Sequence, residues 1–419
     1  MVKTTRVAWL ATVVGLALGS CPFGATAPAR AATSSDQPAA IVVWPKIVVD
    51  TQGRFTSGEI HTDTVVQLSN VDTANAKEAH CFYINGNSHC ANNPAQVCQG
   101  ASDCPSGTSG FAACVPGWSE VDFDIIITSE QPLAWNASEG LQRGDFPLEA
   151  RTCHSGIATG HPCNSDADCA GIAGSCLPLQ TNIGSGIPPV PEDPFVGELK
   201  CIQYALTNPP VPDQTADSNK LKGEATIETV VTGPLQPRGL VDIAKYNAVG
   251  LKFNAAEAAV PPNELHLDGV QYQACPTTLL LNFFFENADL IFPNTGDLTL
   301  VPCGDDFLDQ IPGKVTAQFV VFNEFEQRFS TSRLVDCFFE SRLGNIDTPN
   351  ADRSIFSFNV AGTIAGQARI RGVGNADTGR GLLGVGRLFV ADVISAAYNL
   401  YGDGTPDFTK TQADIITLP

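Results

Sequence analysis

Short apolar segments separated by turn residues run along most of the chain. Residues 63–70, 122–128, 315–323 and 353–360 are rich in Val, Ile, Phe and Thr and are bounded by Gly, Pro, Asn or Asp, which is typical of β-strands. Apolar positions with a helical period are scarce, and residues 241–249 fit either a short helix or a strand. We therefore expect an all-β protein of antiparallel β-sandwiches, Ig-like or jelly-roll-like, with 38 Gly and 29 Pro supplying turns.

The two halves of the chain share three landmarks in the same order. Residues 221–230 match residues 364–373 at their Gly, Ala, Ile and Val positions, which aligns Gly223 with Gly366. The other two landmarks are residues 64–70 with Cys81 against residues 317–323 with Cys337, and Tyr246-Asn247 against Tyr398-Asn399. This order predicts a tandem duplication, with one sandwich over residues 38–255 and a second over residues 256–419. The repeated tyrosines are expected to tie a corner of each sandwich.

Eight cysteines fall in two clusters within the first half. The clusters are Cys90, Cys98, Cys104 and Cys114, and Cys153, Cys163, Cys169 and Cys176. Each contains a Cys-x4-Asp-Cys core among Gly, Ser, Asn and Asp residues that cannot form an apolar core, so disulfides are expected to order both segments. Neither cluster has the Cys-x2-Cys spacing of a zinc ribbon, and four cysteines leave three pairings open.

These clusters resemble the small disulfide-stapled insertions of secreted bacterial β-sandwich proteins of unknown function. The resemblance covers only the two insertions, at about residues 86–118 and 150–180, and it implies no active-site residue. Loops of this kind either carry recognition on a rigid scaffold or staple long connections against proteolysis.

Five further cysteines lie outside the clusters. We expect Cys81 to pair with Cys201 and two of Cys275, Cys303 and Cys337 to pair, with Cys303 and Cys337 as the candidates. An odd number leaves at least one thiol free or bonded to a partner chain.

The N-terminal segment predicts export. Lys3 and Arg6 precede an apolar run over residues 7–18, which is too short to span a bilayer but suits a signal peptide covering residues 1–31. A small-x-small site at 29–31 would release a soluble chain that begins at Ala32. Residues 18–21 instead resemble a lipobox, in which Cys21 would be acylated. Both alternatives place the protein outside the cytoplasm, either extracellular, at the cell surface or in the periplasm.

No catalytic or metal-binding motif emerges from the spacing of reactive residues. The six His residues lack the spacing of a helical metal site, and no Gly-x-Ser-x-Gly elbow occurs. Residues 399–410 contain a fragment of a calcium loop, with Asp403 and Asp407 at usable offsets, but a turn is favoured over calcium. The acidic residues Asp305, Asp306 and Asp309 are expected to form a solvated loop. No cofactor is expected apart from this calcium hypothesis.

The charge and the missing motifs favour a binding or structural role. A net charge of -20 repels nucleic acid and anionic membranes, so a membrane would be reached only through a lipid on Cys21. We expect an exported, non-enzymatic surface or extracellular protein whose partner is an extracellular or cell-surface protein or polysaccharide. The alternatives are a carbohydrate-binding or accessory module that uses exposed Trp118 and Trp135, or a secreted hydrolase with a dispersed triad.

Overall fold

Strands dominate the fold, as the apolar pattern predicts. The computed structural model describes residues 37–54, 60–98, 103–104, 113–141, 151–153, 163, 166–169, 175–178, 186–207, 210–233, 236–258, 260–287, 294–374, 379–390, 394–403 and 414–419. Within these ranges the helical elements are one turn of α-helix, α1 (Phe358–Ala361), and 3-10 turns at Asp166–Cys169, Leu343–Asn345 and Ala351–Arg353.

The strands fall into two series along the chain. The first series is β1 (Ile41–Val49), β2 (Ile60–Asn70), β3 (Lys77–Asn85), β4 (Ser88–Cys90), β5 (Asn93–Cys98), β6 (Cys114–Pro116), β7 (Ser119–Ile127), β8 (Pro132–Asn136), β9 (Arg151–Cys153), β10 (Cys176–Pro178), β11 (Phe195–Ala205), β12 (Val211–Pro212), β13 (Leu221–Gly233), β14 (Gln236–Asn247) and β15 (Val249–Leu251). The second series is β16 (Glu264–Leu267), β17 (Thr278–Phe284), β18 (Asn294–Pro302), β19 (Asp305–Asp306), β20 (Lys314–Asn323), β21 (Arg328–Asp336), β22 (Phe339–Arg342), β23 (Ala365–Val373), β24 (Leu382–Val390), β25 (Ile394–Asn399), β26 (Tyr401–Asp403) and β27 (Asp414–Thr417).

Two antiparallel sheets form the first sandwich. Sheet A has the order β15-β1-β11-β3-β7, with β12 added to β11, and sheet B has the order β14-β13-β2-β8. Their facing side chains share one core that includes Trp44 and Tyr83 of sheet A and Trp135 and Tyr246 of sheet B. The Trp135 indole donates to the Tyr83 hydroxyl at 2.7 Å, and the Trp44 indole donates to the Glu224 carbonyl at 2.9 Å, so both buried N–H groups are satisfied.

Two further sheets form the second sandwich. Sheet C has the order β21-β20-β23-β17-β26, and sheet D has the order β22-β18-β24-β25. Phe283 and Phe319 of sheet C share a core with Leu298 and Leu300 of sheet D. The fold is therefore two tandem antiparallel sandwiches with disulfide-bonded insertions in the first.

The second sandwich repeats the strand order of the first. Read along the chain, β1, β2, β3, β7, β8, β11, β13, β14 and β15 correspond to β17, β18, β20, β21, β22, β23, β24, β25 and β26. With this correspondence, each of the seven pairings among the nine strands of sheets A and B has a counterpart in sheets C and D. The short strands β4, β5, β6, β9 and β10 have no counterpart and belong to the cysteine-rich insertions.

The two repeated tyrosines occupy corresponding places, as predicted. The Tyr246 hydroxyl on β14 donates to the Lys46 carbonyl on β1. The Tyr398 hydroxyl on β25 donates to the Asn282 carbonyl on β17 at 2.8 Å. Each tyrosine therefore ties the eighth strand of its sandwich to the first strand of the facing sheet.

The alignment of Gly223 with Gly366 is wrong. Gly223 lies on β13 of sheet B, whereas Gly366 lies on β23 of sheet C, which corresponds to β11. The residue of the second sandwich that corresponds to Gly223 is Gly384. The N–H of Ala248 donates to the Gly223 carbonyl at 2.9 Å, and the N–H of Leu400 donates to the Gly384 carbonyl at 3.0 Å in the same way. The match of residues 64–70 with 317–323 fails in the same way, since β2 corresponds to β18.

Two other segments were predicted less clearly or wrongly. Residues 241–249, for which the sequence allowed either a short helix or a strand, form parts of β14 and β15. The strand expected at residues 353–360 is absent. There, the Ser357 side chain accepts from Asn359 N to begin α1, and Gly362, with a φ of 69°, ends it. Local capping therefore decides this segment, whose Phe356 still packs in the second core.

Six disulfides join all the cysteines of the described residues except Cys337. Both clusters pair first with third and second with fourth: Cys90–Cys104, Cys98–Cys114, Cys153–Cys169 and Cys163–Cys176. Cys81 pairs with Cys201 across neighbouring strands β3 and β11, as expected. Cys303 pairs with Cys275. The predicted pairing of Cys303 with Cys337 is therefore wrong. Cys337 is a buried free thiol, with its Sγ 3.7 Å from the Asn85 carbonyl oxygen.

The central strands of sheet A, β1, β11 and β3, are buried on both faces. Its inner face belongs to the first core, and its outer face contributes Phe82, Ile202 and Tyr204 to a third cluster with Phe307 and Ile416 of the second half. Strand β1 consequently shows almost continuous burial, and β3 and β11 do as well. This covering joins the two sandwiches through an apolar contact.

Replacing Trp135 tests its position in the core. We expect Trp135→Ala to lower the free energy of unfolding by about 3–5 kcal/mol, because it opens a cavity and leaves the Tyr83 hydroxyl without its donor. Val241→Ala, at a residue that is 57% exposed on sheet B, is the control and should change it by less than about 0.5 kcal/mol. Chemical denaturation measures both, and equal effects would contradict the core assignment.

Candidate ligand-binding cleft

Both cysteine-rich insertions leave the first sandwich at one end. The end of β1 lies beside the start of β11, where Val49 pairs with Phe195. The end of β3 lies beside the starts of β11 and β7, since Asn85 pairs with Gly197 and with Ser119. The β1–β2 loop, the first insertion and the β8–β11 connection that carries the second insertion therefore start or end at this place, which we name the insertion end.

Disulfides replace an apolar core within each insertion. The first insertion is a small three-stranded sheet of order β5-β4-β6, and the second contains the two-stranded sheet β9 and β10. The four cysteines of each insertion form a separate buried cluster. Closing a loop of about 15 residues contributes roughly 3 kcal/mol per disulfide, so two bonds hold each short segment in shape.

A cleft of about 540 Å³ opens at the insertion end. Its walls come from the β1–β2 loop, the first insertion and the segment before β11. The lining residues are Arg54, Ala95, Gln96, Val97, Cys98, Asp103, Glu192, Asp193 and Pro194. Polar and charged side chains thus outnumber apolar ones in the lining.

Glu192 braces the base of this cleft. Its Oε1 accepts hydrogen bonds from Asn85 Nδ2 at 2.6 Å and Asn87 Nδ2 at 2.7 Å, and its Oε2 lies 3.1 Å from His89 Nε2. Asn87 Nδ2 also donates to the Pro194 carbonyl at 2.8 Å. These contacts lock the first insertion to the segment before β11, so the Glu192 carboxylate serves the framework of the cleft.

Asp193 and Asp50 hold the β1–β2 loop in place as a wall of the cleft. Asp193 accepts from the backbone N–H and the hydroxyl of Thr51, and Asp50 Oδ1 accepts from Arg54 N at 2.7 Å. The exposed Arg54 guanidinium contacts only the Gln52 side-chain oxygen, at 3.0 and 3.3 Å, among the described residues. Gln52 takes up two of the five N–H donors of Arg54, and the Arg54 side chain lines the cleft.

Sequence reasoning missed the charged residues of the cleft. Glu192 and Asp193 stand between prolines in a segment that reads as a turn, and Arg54 stands among ordinary loop residues. Their partners lie up to 142 residues away in the chain. The one available signal is that both flanking segments adjoin strands that border the insertions.

The predicted ligand-contact residues lie elsewhere. Trp135 is 3% exposed and belongs to the first core, so its proposed role as an exposed ligand contact is wrong. Trp118 is partly buried against the third cluster, and its indole N–H has no partner within the described part of the chain. Cys21 lies outside the described residues. Of the suggested calcium loop, Asp403 ends β26, and residues 404–413 also lie outside them.

One group of described side chains has donors suited to a metal ion. Single donor atoms of Glu257, His266 and Asp268 lie within 4.8 Å of one another, and His266 Nε2 is 2.9 Å from Glu264 Oε2. These side chains are only half-buried. The two remaining groups are cysteines already joined in disulfides.

A histidine–carboxylate cluster lies on the outer face of sheet A. His80 Nδ1 is 2.5 Å from Asp124 Oδ1, and the His80 ring stacks on Tyr204 with centroids 5.1 Å apart. Burial, with the nearby Asp124 charge, raises the pKa of Glu78 to about 7. The His80 ring makes polar contacts with the Asp122 and Asp124 carboxylates.

Comparison with known proteins assigns the chain to no family. No family model matches the chain, and no curated protein matches its sequence. Six disulfides are typical of proteins that fold in an oxidising compartment outside the cytoplasm. Over the part of the chain that the structure describes, no helix is long and apolar enough to cross a membrane.

Removing the Glu192 carboxylate should destabilise the segments that form the cleft. We expect Glu192→Ala to cost about 1–3 kcal/mol, because the Asn85, Asn87 and His89 donors lose their acceptor. Hydrogen exchange should quicken at residues 86–98 and 194–197 and stay unchanged in sheets C and D. Glu228→Ala, at an exposed position of β13, is the control. Unchanged protection in Glu192→Ala would show that the brace does not stabilise the cleft.

Proposed function

We propose that this protein is an exported, non-enzymatic binding protein of the cell exterior, with the insertion end of the first sandwich as its recognition surface. One observation carries the proposal: the first disulfide-stapled insertion, the β1–β2 loop and the segment before β11 line one polar cleft. A rigid β-sandwich that presents loops at one end is a common arrangement for recognition. The second sandwich has a four-residue turn, residues 324–327, where the first carries its insertion between β3 and β7.

Export rests on the N-terminal segment and on the disulfides. The basic start and the apolar run of residues 7–18 have the form of a signal peptide, and six disulfides require oxidising conditions to persist. We favour release of a soluble chain that begins at Ala32 over acylation of Cys21. The protein would then act in the extracellular space or at the cell surface.

The chemistry of the cleft favours a polar partner. Arg54 and Gln96 line the cleft with hydrogen-bonding groups, while Glu192 and Asp193 are engaged in the framework. The Gln96 amide also accepts from Asn93 and donates to the Asp103 carbonyl within the first insertion. An acidic protein with such a cleft suits an extracellular protein or a polysaccharide and disfavours nucleic acid. Burial of Trp135 removes the main support for ring stacking on sugars, so a polysaccharide would be held by hydrogen bonds.

We also propose that the two sandwiches arose by tandem duplication. The recurring strand order supports this origin, and so do the Tyr246 and Tyr398 hydrogen bonds at corresponding places. After duplication, insertions in the first copy would have supplied the recognition surface while the second copy kept shorter loops.

Binding arrays can test the recognition surface. The labelled mature protein is applied to arrays of glycans and of extracellular proteins, and the affinity for each bound target is then measured. We expect the double variant Arg54→Ala, Gln96→Ala to bind at least about 30-fold more weakly, the loss typical of two central contacts. Arg353→Ala, exposed in the second sandwich, should bind as the wild type does. Binding that is equal in all three proteins, or absent from both arrays, would contradict the proposal.

N-terminal analysis of the exported chain tests its processing. We expect Ala32 as the first residue, and a Cys21→Ser variant exported to the same extent, because Cys21 would be discarded with the signal peptide. Edman sequencing and mass spectrometry of the secreted fraction measure this. A mature chain that begins with lipid-modified Cys21 would contradict soluble release and establish a membrane anchor.

A further inference from the structure

A fully buried lysine–aspartate pair joins the first sandwich to the small sheet β16-β27-β19 of the second half. Lys200 Nζ on β11 is in direct hydrogen-bond contact with Asp305 Oδ2 on β19, and it lies 3.3 Å from the Cys303 carbonyl oxygen. The side chains of Lys200 and Asp305 are 0% and 1% exposed. The sequence predicted a solvated loop at Asp305, and this prediction is wrong because the Asp305 side chain is buried. It meets a lysine 105 residues away in the chain.

A second carboxyl group stands beside this pair without a partner of its own. Glu198 lies two residues before Lys200 on β11 and is 1% exposed, with Oε1 3.7 Å from Lys200 Nζ. Neither Glu198 oxygen has a hydrogen-bond partner among the described residues. Burial raises the pKa of Glu198 to about 8, so it carries a proton at neutral pH.

Apolar groups keep water away from these three side chains. The Phe82 and Phe307 rings stack with centroids 4.0 Å apart, and Lys200 Nζ lies 5.8 Å from the Phe307 centroid. The buried Cys337 thiol lies near the same charges, and burial raises its pKa well above the ordinary value. Both Phe82 and Phe307 belong to the third cluster, between sheet A and the second half.

The remaining oxygen of Asp305 is held by a backbone donor. Gly313 N donates to Asp305 Oδ1 at 3.0 Å, on the oxygen that does not face Lys200. A donor in this position stabilises negative charge that would develop on Oδ1 if a nucleophile attacked the carboxyl carbon. Lys200 is held against the other oxygen of the same group, as a nucleophile in place for attack.

From this arrangement we propose that Lys200 and Asp305 condense to an intramolecular amide between Lys200 Nζ and Asp305 Cγ. Two opposite charges removed from water are costly to bury even when paired, whereas an amide is neutral. Fixed contact between amine and carboxyl replaces an encounter in solution, and effective molarities for such arrangements reach about 10⁵–10⁸ M. In a dry site the released water does not remain to reverse the reaction.

The reaction needs no component beyond these side chains. A proton passes from the Lys200 ammonium to Asp305 Oδ2 along their hydrogen bond, and the neutral amine attacks Cγ. Glu198 then gives its proton to the departing Oδ2 hydroxyl and takes one from the nitrogen, so Glu198 ends protonated as it began. The Cγ–Oδ2 bond breaks, the Nζ–Cγ bond is complete, and one water leaves. Nothing is oxidised or reduced.

Mass spectrometry of the full mature chain tests the bond directly. After reduction of the disulfides, the wild-type chain should weigh less than its sequence requires by one water. Proteolysis should release a branched peptide that joins Lys200 to Asp305. A chain of full mass would overturn the proposal, and so would a water loss located at any other residue. This measurement needs no variant, so it stands even if a variant fails to fold.

Three variants distinguish the proposed amide bond from an unreacted buried ion pair. Lys200→Arg keeps the cation but lacks the amine, so it should show the full mass. Glu198→Gln should form the bond at least about 100-fold more slowly after refolding, the typical contribution of a general acid–base group. An undiminished rate would overturn the role of Glu198. Lys46→Arg alters another buried lysine, 2.6 Å from Glu340, and should keep the wild-type water loss.

Discussion

Burial of the central strands of sheet A on both faces is the constraint on which the rest of the structure depends. Its inner face closes the first core with sheet B, and its outer face is covered by the small sheet β16-β27-β19 and the segments around it. A strand that is covered on both sides cannot alternate apolar with polar residues, and the run IVVWPKIVV of β1 shows this directly. The second half therefore completes the packing of the first.

The same covering explains why charged groups occur inside the protein. Sheet A presents Glu198 and Lys200 on its outer face, where a solvated sheet would place ordinary surface charges. Because the second half removes them from water, each charge needs a partner or must be neutral. Lys200 meets Asp305 in this way, and on sheet D Arg387 meets Asp242 of β14. These polar contacts fix how the two sandwiches fit together, while the apolar contacts supply most of the burial.

The sequence predicted the kind of element well and the equivalence of elements poorly. Strands around residues 63–70, 122–128 and 315–323 were predicted because segments rich in Val, Ile, Phe and Thr between turn residues are typical of strands. All such strands resemble one another, however, so a short match such as Gly223 with Gly366 can fall on strands in different sheets. The cysteine insertions were recognisable from composition, whereas Arg54 and Glu192 depend on contacts between distant segments that no local pattern encodes.

The place of the insertions follows from the topology of the sandwich. New residues cannot enter sheet A without breaking ladders that are buried on both sides, but the β3–β7 and β8–β11 connections leave the sheets where pairing ends. An insertion there costs mainly loop-closure entropy, which grows slowly with length. Disulfides then supply order that a small polar segment cannot obtain from its own core. An insertion at this end therefore leaves the outer face of sheet A in contact with the second half.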